Sequence, residues 1–507
     1  MDLAHWIERQ AAFAPARCAI RFAGQDISYA MLAARIDAVA RALAAAGVAT
    51  GDRVAFLGLN NPEMLAMLFA CARVGAMIVP LNWRLAPPEH REMLADCEPK
   101  LLVVEPRFAA GIDSVKEGPV SMRRVVPGDV PGWERYESFV VAGQGTAAPR
   151  NGADDLPVLL CYTSGSTGRP KGVVLTQGAL FHNAVNSERM HDLTSADRVL
   201  TTLPLFHVGG LNILTLPALH AGATVTVHAK FDPEAALDTI EREAITLTVL
   251  VPAQVEALRT LARWPEAKLA SLRMITTGSQ IVPPRIFEVV HARGVPLVEV
   301  YGSTETSPIA TYVPAAEARR KAGSAGLPAM HCEIRVADEA GADVAQGASG
   351  EILVRGPNVM TAYWGKPEAT AEALRGGWFH SGDIGHFDAD GWLVVDGRIK
   401  DMIISGGENI YPAEIENVLA ECEAIAEVAV VGRPDERWGE AVVAVVVPKP
   451  GKSVTDREVF AALEGRVARY KHPRSIVTVA QLPRTALGKV QKSEVREIAI
   501  AAATRVA

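Results

Sequence analysis

Aromatic residues are scarce in this chain, at 6% of 507, so its interior must lean on Ala, Val, Leu and Ile. Cysteine is also sparse. The six, at 18, 71, 97, 161, 332 and 422, form no CxxC pair and no Cys/His group with zinc spacing, which excludes a disulfide scaffold and a zinc module. Positive charge is not in excess: Lys and Arg total 51 against 58 Asp and Glu, a net charge of −7. That balance argues against nucleic-acid binding, and an anionic ligand then needs a local cation rather than a global field. The longest apolar stretch, 64–81, is broken by Arg73, Gly75 and Pro80. It reads as a buried helix and a strand, with no transmembrane segment. The opening decapeptide, MDLAHWIERQ, has no apolar signal core, so the cytoplasm is the expected compartment. No internal repeat or low-complexity run is present.

What is there is enough chain for two to four domains or subdomains. Leu32, Ile36, Val39 and Leu43 recur at spacings of four, three and four, one helix face closed by Gly47. Short buried strands follow at 54–57, 77–80 and 101–104, each after a helix, and again at 223–227, 247–251, 273–276 and 296–300. Strands alternating with helices predict parallel sheets with helical cover. From about residue 333 short alternating strands (351–355, 392–396) indicate a smaller β-rich subdomain. The tail predicts an α+β unit: helix 413–421, strands 427–431 and 441–447, and a helix around 458–470. The expected organisation is a large N-terminal domain, 1–399, and a small C-terminal domain, 400–507. Residues 105–155, rich in Gly, Pro and charge, are expected to be irregular.

Four short clusters carry chemistry. Tyr162-Thr163-Ser164-Gly165-Ser166-Thr167-Gly168-Arg169-Pro170-Lys171-Gly172 follows an apolar strand. Its glycines let main-chain N–H groups converge on an anion, its hydroxyls donate further bonds, and Lys171 adds charge, a set suited to a polyphosphate. The spacing is not that of a GxxxxGK[ST] loop. Tyr301-Gly302-Ser303-Thr304-Glu305-Thr306 sits at the end of a strand, where open α/β sheets bind ligands; Tyr301 offers a flat face for a base and Glu305 a ligand for Mg2+. Asp383, in Trp378-Phe379-His380-Ser381-Gly382-Asp383, can bind a ribose diol, with Arg398 in support. Lys489, in Pro483-Arg484-Thr485-Ala486-Leu487-Gly488-Lys489, reads alone as a solvated lysine. His207, among apolar neighbours in 203–210, is either a satisfied core histidine or the wall of a substrate pocket.

In this order and spacing the clusters resemble the ANL superfamily of adenylate-forming enzymes: acyl- and aryl-CoA synthetases, peptide-synthetase adenylation domains and luciferases. The resemblance runs from Ile27 to Lys492. It is closest to bacterial fatty-acyl-CoA and feruloyl- or 4-coumaroyl-CoA ligases, whose hinge and thioester loop Gly397-Arg398-Ile399-Lys400-Asp401-Met402-Ile403-Ile404-Ser405-Gly406-Gly407-Glu408-Asn409-Ile410-Tyr411-Pro412 matches. The resemblance implies a cytoplasmic ligase using ATP, Mg2+ and CoA, as a monomer or homodimer, with a mobile C-terminal domain. It implies that Thr163 to Lys171 grips the β- and γ-phosphates, Thr304 bonds the α-phosphate, Glu305 holds Mg2+ and Tyr301 stacks on adenine. Asp383 and Arg398 would hold the ribose, and Lys489 would bridge the acid carboxylate and the α-phosphate. Lys400 would be the hinge, about which Lys489 swings out and Ser405, Gly406 and Gly407 swing in to form the CoA channel. Ser279-Gln280-Ile281 departs from the family's usual Gly-Ala-Pro there.

By the same resemblance His207, Gly209, Gly278, Gly302, Pro308 and Ile309 line the acid pocket. Gly302 stands where acetate-specific relatives carry an aromatic plug, and Gly209 and Gly210 remove volume. A roomy apolar pocket favours a medium- or long-chain fatty acid or an aryl acid. Arg285 keeps a malonate-like dicarboxylate open. An acyl-AMP ligase that loads a carrier protein is a further alternative; the intact Ser405-Gly406-Gly407 loop and the lack of a carrier segment after residue 507 favour CoA.

Overall fold

The computed structural model describes residues 2–114, 122–163, 170–279, 281–405, 408–435, 438–464, 466–467, 469–485 and 488–504. The chain is a mixed α/β protein with four sheets. Strands apolar along their length must be covered on both faces, and Met77–Leu81, Leu101–Val104 and, after its first residue, Arg53–Leu57 are such strands. They form the middle of an eight-stranded sheet in the order Ala362–Tyr363, Lys171–Thr176, Pro157–Thr163, Met77–Leu81, Arg53–Leu57, Leu101–Val104, Arg123–Val126, Glu134–Arg135. A nine-stranded sheet holds Leu297–Tyr301, Met274–Gly278, Leu247–Val249, Arg198–Thr201, Thr224–Val227 and Cys18–Phe22 as parallel neighbours.

One apolar core serves both sheets, joining Val54, Ile78 and Leu159 with Ile20, Val225 and Val298. The face expected on the first long helix, Tyr29–Ala45, is buried: Leu32, Ile36, Val39 and Leu43 are each at most 1% exposed. Ser28 caps it by accepting the Met31 N–H at 3.2 Å. Helix Pro62–Val74 buries every residue but Glu63, against Tyr29–Ala45 and the strands Met77–Leu81 and Pro157–Thr163. Each Leu or Phe hidden there contributes about 1.5–3 kcal/mol over an exposed one.

The β-rich part is a four-stranded antiparallel sheet, Glu333–Ala337, Gly350–Arg355, Phe379–Phe387 and Leu393–Arg398. The last sheet holds Ile403–Ser405, Glu408–Ile410, Ile425–Asp435, Gly439–Pro448 and Ser475–Thr478, with its own apolar clusters. The described cysteines are all free. Among the described residues no helix is long and apolar enough to cross a membrane.

Three expectations need correction. Residues 105–155 are not irregular throughout: they hold helix Pro106–Asp113, strand Arg123–Val126, strand Glu134–Arg135 and helix Tyr136–Ala142. These elements are too short to show a period, and tertiary burial of Val125, Val126, Tyr136 and Phe139 makes them. The helix expected around 458–470 is Asp456–Leu463, started by the Thr455–Glu458 capping box, with a separate turn at Arg469–Lys471. The strand expected to reach 251 stops at Val249, because Val251 precedes Pro252 and adopts the extended conformation that caps the next helix.

Candidate active site

Strands Pro157–Thr163 and Lys171–Thr176 pair antiparallel, with Thr163 opposite Lys171, so the hydroxyl-rich loop leaves and re-enters the sheet at one point. Ser164, Gly165, Ser166, Thr167 and Gly168 lie outside the described residues. The Lys171 ammonium lies over the Tyr363 ring, 5.1 Å from its centroid. The Tyr363 hydroxyl donates to Glu305 Oε1 at 2.9 Å, and the Glu305 carbonyl accepts from the Met360 N–H at 2.7 Å. Tyr363 thus joins the phosphate-loop lysine to Glu305, a link the sequence reading missed.

Glu305 belongs to the turn Thr304–Thr306 that follows strand Leu297–Tyr301. Thr304 is buried there. Asn358, also buried, clamps the turn by donating to the carbonyls of Thr306 at 2.7 Å and Ile309 at 3.0 Å. Gly302 has φ +155, and a Cβ there would come 1.8 Å from the Pro308 carbonyl oxygen, so only glycine fits.

At the end of the same strand the Tyr301 hydroxyl donates to Asp383 Oδ2 at 2.9 Å, while Arg398 Nε stands 2.8 Å from Asp383 Oδ1. Asp383 and Arg398 are opposite each other in the four-stranded sheet. Burial pushes the Asp383 carboxyl up, and Arg398 and Tyr301 oppose that shift. The C-terminal turn brings Lys489 to this pair. Thr485 receives the Gly488 N–H at 2.8 Å and its own N–H meets the Lys489 carbonyl at 2.7 Å; Gly488 takes φ +82, where a side chain would be strained. Burial and the Arg398 charge push the Lys489 ammonium down, Asp383 opposes them, and Lys400 adds to them. Lys400 sits in the turn Ile399–Asp401.

His207 faces Lys489 as well: burial and that charge hold its imidazole down to about 4. Its Nδ1 accepts the Gly209 N–H at 3.1 Å, which leaves the ring proton of the neutral histidine on Nε2. Of the glycines on this side, Gly210 and Gly278 are held by packing, since an added Cβ would come 2.3 Å from the Pro204 and 2.4 Å from the Val300 carbonyl oxygen. Gly209 differs: a Cβ there would meet only the His207 ring, 3.2 Å away. Pro308 is buried and Ile309 is wholly buried in the shared core, so both back this side from behind. The Arg285 charge acts on Glu256. Ser405 is buried in its own sheet, opposite Glu408 and Gly439; Gly406 and Gly407 lie outside the described residues.

Glu299 is a second missed residue. Burial pushes its carboxyl up to about 8, and its Oε2 has no partner. It stands across the ladder from Thr277, whose hydroxyl is also buried and unpartnered. A charged residue inside the apolar run Val298-Glu299-Val300 was the available signal.

The chain is similar to known proteins over nearly its whole length. Residues 7–364 match the AMP-binding enzyme family, and residues 414–489, ending on Lys489, match the AMP-binding enzyme C-terminal domain. An indoleacetate–CoA ligase of Aromatoleum aromaticum is 59% identical over 502 residues, 98% of each chain. A feruloyl-CoA synthase of Amycolatopsis is 44% identical over 494 residues, 97% of this chain and 98% of the other. The anthranilate CoA ligase AuaEII, solved with anthranoyl-AMP, superposes with a TM-score of 0.91 at 26% identity, over 99% of this chain and 98% of the other.

Proposed function

This chain belongs to the AMP-binding enzyme family of the ANL superfamily, and we propose that it is an AMP-forming acid–CoA ligase whose acid is an aryl acid of the indoleacetate kind. The observation that carries the reading is the convergence of Lys489, from the C-terminal domain, on His207 and on the Asp383–Arg398 pair of the N-terminal domain. In the first half-reaction the acid carboxylate attacks the α-phosphorus of ATP. The acyl–oxygen–phosphorus linkage forms and the bond to pyrophosphate breaks. Two anions must meet, and the Lys489 ammonium offsets their repulsion and the charge that develops on the leaving group. Asp383 exchanges its protein partners for the ribose hydroxyls, and Arg398 keeps it ionised. Tyr301 supplies a face to the base, with Glu299 and Thr277 as unpartnered polar groups beside it. In the second half-reaction the CoA thiol attacks the acyl carbonyl and AMP leaves, with the domain from about residue 400 turning about Lys400 to withdraw Lys489 and present Ser405, Gly406 and Gly407.

Among the described residues no three His, Cys, Asp or Glu side chains cluster as a metal cage, and Glu305, with one oxygen bonded to Tyr363, offers a single carboxylate. That fits Mg2+, which keeps its waters and takes phosphate oxygens rather than a protein cage. Glu305 would hold it on the nucleotide beside Thr304, which would bond the α-phosphate, and its charge would neutralise the leaving pyrophosphate. For the acid, the open side of Gly209 and the neutral imidazole of His207 suit a flat aryl group, and the relatives named for indoleacetate and ferulate point the same way.

The test is acid-dependent pyrophosphate release with ATP and Mg2+, with and without CoA, over indoleacetate, phenylacetate, ferulate, benzoate, palmitate and malonate. Release with the arylacetates, and thioester only when CoA is added, is expected. Release with palmitate alone would overturn the choice of acid and leave the ligase.

A further inference from the structure

Helix Gln177–His191 carries a stripe of polar residues that solvent never reaches: Asn183, Asn186, Ser187 and His191 are each at most 1% exposed. Burying four polar side chains on one helix is costly unless each finds partners. Their partners are the segments that lead into the acid side of the site. Asn183 Nδ2 donates to the Asn212 carbonyl at 2.7 Å, and Asn183 Oδ1 accepts the Ile309 N–H at 3.0 Å. The Ser187 hydroxyl donates to the Ile213 carbonyl at 2.5 Å. Asn186 accepts the His331 N–H at 3.2 Å, and His191 Nε2 is 2.8 Å from the Thr276 hydroxyl, two residues before Gly278.

The carbonyls of Asn212 and Ile213 need these donors because the chain there is not an ordinary helix. Leu211–Thr215 is a wide π-turn, in which the Leu216 N–H bonds back to Leu211 and not to Asn212. The donor an α-helix would offer Ile213 is residue 217, a proline with no N–H. Two carbonyls are therefore orphaned, and both are met by side chains of one neighbouring helix. Turns of this kind concentrate at functional sites, and this one begins one residue after the Gly209–Gly210 pair that follows His207. The Asn212 carboxamide, 1% exposed, has no partner for either polar atom among the described residues, so its own donor is not spent on these carbonyls.

We propose that Asn183 is a positioning residue for the acid. Its carboxamide locks the wide turn 211–215 and the Pro308–Ile309 segment in one register, and so sets the width of the pocket wall that starts at His207 and Gly209. Asn183 touches neither substrate nor nucleotide; it acts through the main chain on both sides of it. This rests on the reading of the His207–Gly209 side as the acid pocket. Loss of the Asn183 donor leaves the Asn212 carbonyl without that partner, so the turn shifts against His207 while Asp383, Arg398 and Tyr301 keep theirs.

The experiment compares wild type with Asn183→Leu, of similar volume, and with Ser187→Ala, which removes the hydroxyl's bond to Ile213 and its contact with His191 Nδ1. Steady-state acid titrations over phenylacetate, indoleacetate and ferulate are set beside calorimetric ATP binding without acid. The expected result for Asn183→Leu is a rise of about tenfold or more in the KM for the preferred acid, and a changed order of preference, because an angstrom-scale shift of a pocket wall is felt at that scale. ATP affinity should stay within about twofold, since the acid contact alone is altered. Ser187→Ala should change the preference in the same direction by less, and it carries the test if Asn183→Leu does not fold. Unchanged acid KM and preference in a folded variant, or ATP affinity falling in step with acid affinity, would overturn the proposal. Wild-type protein that releases no pyrophosphate with any aryl acid would refute the pocket reading itself, and this inference with it.

Discussion

On the side proposed for the nucleotide, side chain meets side chain: Tyr301 and Arg398 hold Asp383, and Tyr363 holds Glu305. On the acid side the pattern is different. Asn183 bonds only to main chain, Ser187 bonds to the Ile213 carbonyl as well as to His191 Nδ1, and Gly210, Gly278 and Gly302 are fixed by carbonyl oxygens pressed against them. A charged, invariant ligand is recognised by groups whose identity matters, and these sit in short local motifs. An apolar ligand is recognised by the shape of a wall, and a wall is set by what stands behind it. Change on the nucleotide side should therefore cost activity outright, whereas change on the acid side should redirect it.

The sharpest break is Lys489→Ala. The ammonium reaches Asp383, Arg398 and His207 from the C-terminal end of the chain. Acid-dependent pyrophosphate release should fall by about 10²–10³-fold, the scale of losing a preorganised charge donor. Thioester formation from supplied acyl-AMP should largely survive, since the lysine is withdrawn in that half. Equal loss in both halves would remove the two-conformation reading.

Gly209→Leu tests the other side. The added side chain starts beside His207, the one described residue within 4 Å of a Cβ built there. The kcat/KM for indoleacetate should drop by about 10–100-fold while a slimmer acid such as hexanoate is kept, each displaced methylene being worth about 1–3 kcal/mol. If every acid and ATP lost ground equally, Gly209 would be a packing residue like Gly210.

The same contrast explains what the sequence disclosed. The alternation of strands and helices in the two large sheets, the β-rich part and the grouping of Tyr301, Asp383 and Arg398 were legible, because apolar runs and motif spacing are local properties. Lys489 was legible only through its company. Glu299 was read as part of a strand and no more, since the absence of a partner is a property of its neighbours in space. Asn183, Ser187 and His191 were invisible for a stronger reason. Periodicity sorts a helix by polarity, so polar residues at spacings of four look like a solvent face; only the orphaned carbonyls of Asn212 and Ile213 show that this face is buried. Tyr363, far along the chain from both Lys171 and Glu305, reaches them through a two-residue strand paired with Val173 and Val174, too short to leave a pattern.

Glu299 gives a stability test of the nucleotide side. Its carboxyl rises from 4.5 to about 8 in the folded chain, so between those values the folded state holds a proton that the unfolded state has released. Stability from this group is full below about pH 4.5 and drains away as pH rises toward 8. Glu299→Gln keeps the shape and cannot ionise. It should raise the melting temperature at pH 8.5 by the equivalent of about 1–3 kcal/mol, and change it little at pH 4.5. Parallel shifts at both values would mean that the carboxyl is solvated.

The smallest effect is expected from Tyr363→Phe, and it separates the two uses of that ring. Removing the hydroxyl deletes one hydrogen bond to Glu305 Oε1 but leaves the aromatic face under Lys171. A neutral hydroxyl on a carboxylate is worth about 0.5–1.5 kcal/mol net, so kcat/KM should fall about 3–10-fold. Because Glu305 is the proposed Mg2+ ligand, the loss should appear chiefly as a higher Mg2+ requirement, with the acid preference unmoved. Tyr363→Leu removes the ring as well, and the further loss it shows over Tyr363→Phe measures what the Lys171 contact contributes. An altered order of acids in either variant would mean that the two sides of the cleft are coupled through this residue, and that the division between a side read by side chains and a side shaped by main chain does not hold at the phosphate end.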